Sequence, residues 1–244
     1  MFQSHDGGDT FDTEKIVDSE RYFFAGAGWA NDDGLVVFAQ TSYNQNYSGT
    51  IDVFAVVSTD SGATWDPVLV DTVRKQPDCT SRGCYDGYYA SVPAIAMDDD
   101  GTLVMAFVGP VVREGRQRQF VRSSTDSGQT WSPRLRLSPK RANAISPAAA
   151  GTGSGDIRLW WMDTRTGRLN VWFRRSLDGG LTWGPAKRLS DAISGAVYKN
   201  RRGFQEAYGD HGEITIASDG ATLAIWGEAS SYYGPGGSWL NRSP

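Results

Sequence analysis

Ser58-Thr-Asp-Ser-Gly-Ala-Thr-Trp65 is an eight-residue stretch with a polar turn at its centre and an aromatic residue at its end, and the chain repeats it. Ser124-Thr-Asp-Ser-Gly-Gln-Thr-Trp131, Ser176-Leu-Asp-Gly-Gly-Leu-Thr-Trp183 and Ser4-His-Asp-Gly-Gly-Asp-Thr-Phe11 keep the same Ser-x-Asp-x-Gly-x-Thr-aromatic order. The copies begin 54, 66 and 52 residues apart, a period that suits a unit of four short strands. In each copy the Asp carboxylate is placed to accept hydrogen bonds from nearby backbone N–H groups, while the Gly supplies the positive φ of a tight turn. The Trp or Phe is then expected to fold back and bury its ring.

The flanks repeat as well. Apolar segments at 51–57, 119–122 and 169–175 precede three of the motifs, and short ones at 67–70, 133–137 and 185–189 follow them. Upstream lie strongly apolar segments at 35–39, 103–108, 157–162 and 223–226, introduced by Asp33-Gly34, Asp100-Gly101, Gly155-Asp156 and Asp219-Gly220, pairs that tight turns favour. The small-residue run from Ala148 to Gly155 reads as an inner strand and its turn, because strands near a propeller axis are crowded. No stretch has sustained 3.6-residue periodicity with caps, so essentially no helix is expected. The reading is an all-β fold, a β-propeller of four-stranded antiparallel blades spanning residues 1–244 as one domain, with about four repeat periods.

Composition agrees with this and excludes other classes. The 244 residues are 39% hydrophobic, too apolar for disorder, and no run approaches the roughly 18 apolar residues that cross a bilayer. The formal net charge is −4, with Lys and Arg scattered among Asp and Glu, which argues against nucleic acid as a partner. Neither a membrane nor a nucleic-acid partner is expected. Twenty-nine Gly, nine Trp and ten Tyr suit many short strands joined by tight turns. Cys79 and Cys84 have a spacing that could close a small disulfide loop in an exported protein, or could remain two reduced thiols. His5 and His211 are far apart and there is no second Cys pair, so neither a metal site nor a cofactor is expected.

The chain opens three residues before a motif Ser, and it closes at Ser243-Pro244, where a fifth motif would begin. The first blade therefore holds only its outer part and the last lacks its outer strand. Two arrangements fit: a four-bladed ring completed by the joined termini, or a larger propeller, six-bladed when complete, that lacks blades at its N-terminus. The second is preferred, and the exposed edges it leaves make self-association an expected consequence.

The motif resembles the Asp-box, or bacterial neuraminidase repeat, of the sialidase superfamily, and the resemblance extends over nearly the whole chain. It implies a propeller whose Asp-boxes lie on the face opposite the active site, so they mark the fold and carry no chemistry. The same motif occurs in non-enzymatic propellers, so a reaction must be argued from the other face. Sialidases are characterised by three arginines on the substrate carboxylate, a Tyr nucleophile paired with a Glu, and an Asp acid/base. Arg suits a carboxylate because it binds it bidentately, and a neutral Tyr avoids repulsion by an anionic sugar.

In that family the nucleophilic Tyr begins an inner strand, and a Glu ends the next strand after an Asp-Gly turn. The segment Tyr208-Gly-Asp210-His211 through Asp219-Gly220 to Glu228 has this outline. Alignment on Asp219-Gly220 puts His211 or Gly212 at the expected Tyr position, with Tyr208 a few residues early. No Arg-Ile-Pro segment of the kind that supplies the first arginine is present in the chain. The resemblance thus implies Tyr208, Glu228, Asp210 and His211 as catalytic candidates.

Loops of the same face add substrate-binding candidates. Tyr85, Tyr88 and Tyr89 form an aromatic wall beside the Cys79–Cys84 loop, and Tyr232 offers another aromatic from the last blade. Arg201 lies where it could pair with Glu228. Arg165 sits in Asp163-Thr-Arg-Thr-Gly-Arg168, a polar hairpin tip where solvated charge is the common outcome. Arg113, Arg116 and Arg118 likewise suit a solvated rim.

The expected function is an exported, extracellular or periplasmic, sialidase-like propeller acting on a carbohydrate, foremost as a glycoside hydrolase of exo-sialidase type. A non-catalytic carbohydrate- or protein-binding propeller is the alternative. A polysaccharide lyase is a third reading, with Tyr208 or His211 as base beside a group that neutralises a uronate carboxylate.

Overall fold

A computed structural model describes residues 2–4, 6–17, 20–43, 49–74, 92–110, 116–167, 169–190, 199–200, 203–204, 208–229 and 236–243. Among these residues there are nineteen strands and no helix. β1 (Phe2–Gln3) and β2 (Asp12–Thr13) form a two-stranded ribbon. The first full sheet is β3 (Tyr22–Ala30), β4 (Val36–Tyr43), β5 (Thr50–Ser58) and β6 (Asp66–Arg74), paired in chain order. The second is β7 (Ala94–Met97), β8 (Leu103–Gly109), β9 (Arg118–Ser124) and β10 (Leu135–Arg136). The third is β11 (Ala144–Thr152), β12 (Asp156–Asp163), β13 (Asn170–Leu177) and β14 (Lys187–Arg188). A short pair follows, β15 (Lys199–Asn200) with β16 (Gly203–Phe204). The last sheet is β17 (Tyr208–Ile216), β18 (Thr222–Ala229) and β19 (Gly236–Ser243). Each is antiparallel throughout, as the repeat of strand, turn, strand, loop, strand, motif, strand requires.

The sheets stack face to face, and the side-chain period of two decides which residues meet. Val37, Val53 and Val57 of the first sheet pack with Ile95, Met105 and Phe107 of the second. Val104, Ala106 and Val121 on the other face of that second sheet pack with Ile157, Leu159 and Trp161 of the third. Trp160 and Trp161 are neighbours in sequence and both fully buried, yet they serve different interfaces: Trp160 turns to Ile214, Ala224 and Trp226 of the last sheet. The strand β12 is therefore apolar at consecutive positions because it is covered on both sides. The first strands β3, β7, β11 and β17 adjoin one another in that order, as inner strands around an axis do.

Every described motif closes the same hydrogen-bonded turn. In the copy at residues 124–131 the Ser124 hydroxyl donates to Asp126 Oδ1 at 2.7 Å and accepts from the Gly128 N–H at 3.0 Å. Thr130 N–H donates to Asp126 Oδ1 at 2.9 Å, and its hydroxyl donates to Oδ2. The copies beginning at Ser4, Ser58 and Ser176 repeat this set. Two consecutive residues are left-handed in each turn, not the Gly alone, so Ser61 and Ser127 adopt φ of 61° and 56°. The aromatic rings differ among the copies. Trp131 and Trp183 are half-buried with Nε1–H donating to the Gly128 and Gly180 carbonyls at 2.9 Å, and Phe11 is 60% exposed. Trp131 and Trp183 also pack against the interblade apolar clusters, while the Trp65 indole N–H has no partner among the described residues.

The ribbon β1–β2 and the sheet β17–β19 are separate sheets, so the described strands show no blade completed by pairing of the two chain ends. Gln3 instead lies against the first full blade, where its side-chain amide borders Gly62 of that blade's motif turn.

Candidate functional site

The motif turns occupy one end of the three four-stranded sheets. There they meet the first hairpin turns: Ser61 N–H donates to the Gly34 carbonyl at 2.9 Å and Gly179 N–H to the Gly155 carbonyl at 3.0 Å. The opposite end is formed by the starts of the inner strands and the loops joining second strands to third strands.

The inner strands are irregular at that end. β3 carries one extra residue between Ala25 and Gly28, β11 one between Ile145 and Ala148, and β17 two between Tyr208 and Gly212, relative to their β-partners. Such bulges bend a strand and re-aim its side chains. They surround an axial cavity of about 270 Å³ lined by Ala25 to Ala27, Val92 to Ala94, Ser146 to Ala149, Gly212 and Glu213. Small residues line it because the backbones converge. A Cβ on Gly26 would lie 2.2 Å from the Pro93 carbonyl oxygen, and one on Gly212 would lie 2.4 Å from the Trp160 ring. Ser146 holds a left-handed φ of 46°, a costly conformation for a residue with a Cβ.

The bulge in β17 accounts for the register offset in the sequence. Its two extra residues place Tyr208 directly opposite Glu228, with Asp210 and His211 in the bulged segment itself. The four catalytic candidates therefore share one end of one strand pair. Arg165 takes a different place. Its Nε donates to Asp163 Oδ1 at 2.9 Å and its Nη2 to Oδ2 at 2.6 Å, while the guanidinium stacks 3.9 Å above the Trp172 ring. Asp163 is wholly buried and also accepts from Trp161 Nε1–H at 2.8 Å. The hairpin tip is thus pinned, not solvated. Burial lowers the pKa of Arg174, and the nearby Arg165 cation lowers it further against the opposing pull of Asp163.

Further hydrogen bonds tie the loops at this end, within and between blades. Gln117 N–H donates to Asn143 Oδ1 at 3.0 Å, and Asn143 N–H donates to Thr164 Oγ1 at 2.9 Å. Arg21 donates to the carbonyls of Ser42 and Thr50 at 2.7 and 2.9 Å. Arg118 donates to the Ala142 carbonyl at 2.6 Å, and burial followed by repulsion from Arg116 and Arg136 lowers its pKa. Tyr85, Tyr88, Tyr89, Tyr232, Arg113, Arg168, Arg201, Cys79 and Cys84 lie outside the described residues. Among the described residues no cluster of His, Cys, Asp and Glu suited to a metal ion occurs. Sequence reasoning missed Glu213, although a residue-by-residue overlay of the inner strands exposes it as a carboxylate where other blades carry alanine.

Face-packed antiparallel blades, motif turns at one end and a small-residue axial cavity toward the other define a β-propeller of the sialidase and arabinanase type. The sequence matches the BNR repeat-like domain over residues 1–199, and the chain belongs to that family. No curated protein matches it. Among solved structures it is similar to a Dyadobacter fermentans protein of unknown function, at 13% identity and a TM-score of 0.58 over 87% of this chain and 58% of that one. It is also similar to the Penicillium chrysogenum α-L-arabinanase complexed with arabinobiose, at 15% identity and a TM-score of 0.56 over 88% of this chain and 61% of the arabinanase. A third similarity is to the NanB sialidase of Streptococcus pneumoniae, at 17% identity and a TM-score of 0.53 over 92% of this chain and 32% of the sialidase. The chain thus spans about three fifths of the first structure's length and a third of the sialidase's.

Proposed function

We propose that this propeller acts on a glycan as a glycoside hydrolase, with its site at the end of the blades away from the motif turns. The observation that supports this most is the register of the last blade, where Tyr208 and Glu228 are opposite partners on the strand pair whose Gly212 and Glu213 line the axial cavity. In the proposed chemistry the Tyr208 phenol attacks the anomeric carbon, Glu228 takes the phenolic proton, and Asp210 or His211 supplies the proton to the leaving oxygen. Tyr85, Tyr88, Tyr89, Tyr232 and Arg201 are proposed to contact the substrate, whereas the guanidinium of Arg165, a substrate-binding candidate by sequence, is taken up by Asp163. The similarity to arabinanase and sialidase structures supports the glycan and leaves its identity open. Export to the periplasm or the cell exterior accompanies this reading, because polymeric glycans are met there and the Cys79–Cys84 spacing suits an oxidising compartment.

The test is turnover of sialosides, arabino-oligosaccharides and uronate polymers by the parent chain and by Tyr208→Phe and Glu228→Gln. Each substitution is expected to lower kcat/KM by about a hundredfold or more, the usual range for a lost proton-transfer group or nucleophile. Unchanged turnover in both variants removes these residues from the mechanism. Binding without turnover by the parent supports a carbohydrate-binding propeller instead, and unsaturated uronate products support a lyase.

A further inference from the structure

The repeat makes Glu213 stand out. Leu103, Ile157 and Thr222 occupy equivalent places in their second strands, because each is paired with the Ser at the end of the third strand, Ser124, Ser176 and Ser243. Three residues further along stand Ala106, Trp160 and Ile225, whose inner-strand partners are Ala94, Ala148 and Glu213. A buried alanine therefore recurs in two blades where the last blade presents an exposed carboxylate on the axial cavity. Strand formation does not ask for Glu here, since Ala fills the place in the second and third blades.

The carboxylate is held in place. Its Oε1 accepts from the Ile214 N–H at 3.1 Å, and the Glu213 carbonyl accepts from Trp160 Nε1–H at 3.1 Å. The other described residues lining the cavity are Ala, Gly, Val, Pro or Ser, so Glu213 brings the one charge among them. Two of the cations described at the same end of the blades are engaged elsewhere: Arg165 with Asp163, and Arg21 with the Ser42 and Thr50 carbonyls and Asp52.

We infer that Glu213 is a specificity-determining residue that makes the axial site select uncharged oligosaccharides and reject sugars bearing a carboxylate. This rests on the glycan reading above and narrows its substrate class. Sugar hydroxyls donate readily to a carboxylate, whereas a sialoside or uronate carboxylate meets a like charge at close quarters. The acid therefore acts as a filter, discriminating through repulsion of the wrong ligand.

Calorimetric titration of the parent chain with arabinobiose and with sialyllactose, repeated on Glu213→Gln and Glu213→Ala, tests this. Glu213→Ala restores the residue of the other blades and keeps the fold; a thermal melt verifies that. The parent is expected to bind arabinobiose at least about tenfold more tightly than sialyllactose, and both variants to shrink that ratio about tenfold by gaining affinity for the anionic sugar. A merely structural role would move both ligands together. A parent that prefers sialyllactose, or a ratio unchanged in both variants, overturns the inference while leaving the glycan reading in place. Binding of neither sugar by the parent overturns the glycan reading and the inference with it.

Discussion

Arg165 closes over Asp163 from two residues away, with two guanidinium nitrogens on the two carboxylate oxygens and its flat face on Trp172. Removing Arg165 leaves the buried Asp163 carboxylate uncompensated, and removing Asp163 strips the part-buried guanidinium and the buried Trp161 N–H of their acceptor. Arg165→Ala is expected to destabilise the chain by about 3–5 kcal/mol, with Asp163→Ala similar and the double variant well short of their sum. Urea denaturation of the three variants measures the coupling. Full additivity, or a loss of sugar binding with no loss of stability, would mean that Arg165 serves the ligand and not the hairpin.

Gly212 gives up a side chain so that β17 can approach Trp160. A Cβ there meets the indole at 2.4 Å and the Ile225 carbonyl at 2.7 Å, and the ring is buried between blades with nowhere to retreat. Gly212→Ala should cost about 1–3 kcal/mol, as overpacking does. A thermal melt within a degree of the parent would show that the strand can move aside.

Two motif turns place serine where the others place glycine. Ser61 and Ser127 hold φ of 61° and 56°, whereas Gly7 and Gly179 fill the equivalent places at 77° and 66°. Ser127→Gly removes the strain of a left-handed residue, about 1–2 kcal/mol, and adds unfolded-chain entropy of about 0.5–1 kcal/mol. The expected balance is a gain of up to about 1 kcal/mol, read from the denaturation midpoint. A loss greater than about 0.5 kcal/mol would contradict the argument.

Acid should probe the turns directly. Hydrogen bonds from the Thr130 hydroxyl and amide, then from Ser124, hold the Asp126 pKa at about 2, and the Thr64 and Ser58 bonds do the same for Asp60. These folded-state values lie below the ordinary carboxylate value near 3.9, so the unfolded chain takes up protons first. The stabilisation is complete above about pH 4 and is lost as pH falls toward 2. Asp126→Asn should lower stability at neutral pH and flatten this acid slope; denaturant midpoints between pH 2 and 6 measure both. An unchanged slope would locate the acid sensitivity in other carboxylates.

The chemistry that was legible in the sequence is local. A motif turn is closed by hydrogen bonds spanning two or four residues, so Ser58, Asp60, Gly62 and Thr64 announce it without reference to the rest of the chain. Regular spacing of such turns between apolar segments then implies stacked antiparallel blades, because each sheet has two faces to cover. Where a side chain ends up was not legible in the same way. Phe11 and Trp131 occupy the same motif position, yet only the indole has an N–H to fasten to its own turn.

At the candidate site the balance reverses. Residue order alone leaves Tyr208 out of register with Glu228, and only the pairing of β17 with β18 shows that two bulged residues absorb the difference. Arg165 reads as one more charge on a polar hairpin until the fold buries Asp163 beneath it. Glu213 is unremarkable in a line of text and becomes a cavity wall only when four inner strands converge on one axis. By itself the sequence determined the turns, the strand order and the repeat, since these depend on neighbours within a few residues. Register and burial were decided by tertiary structure alone, because each depends on which distant backbone arrives opposite.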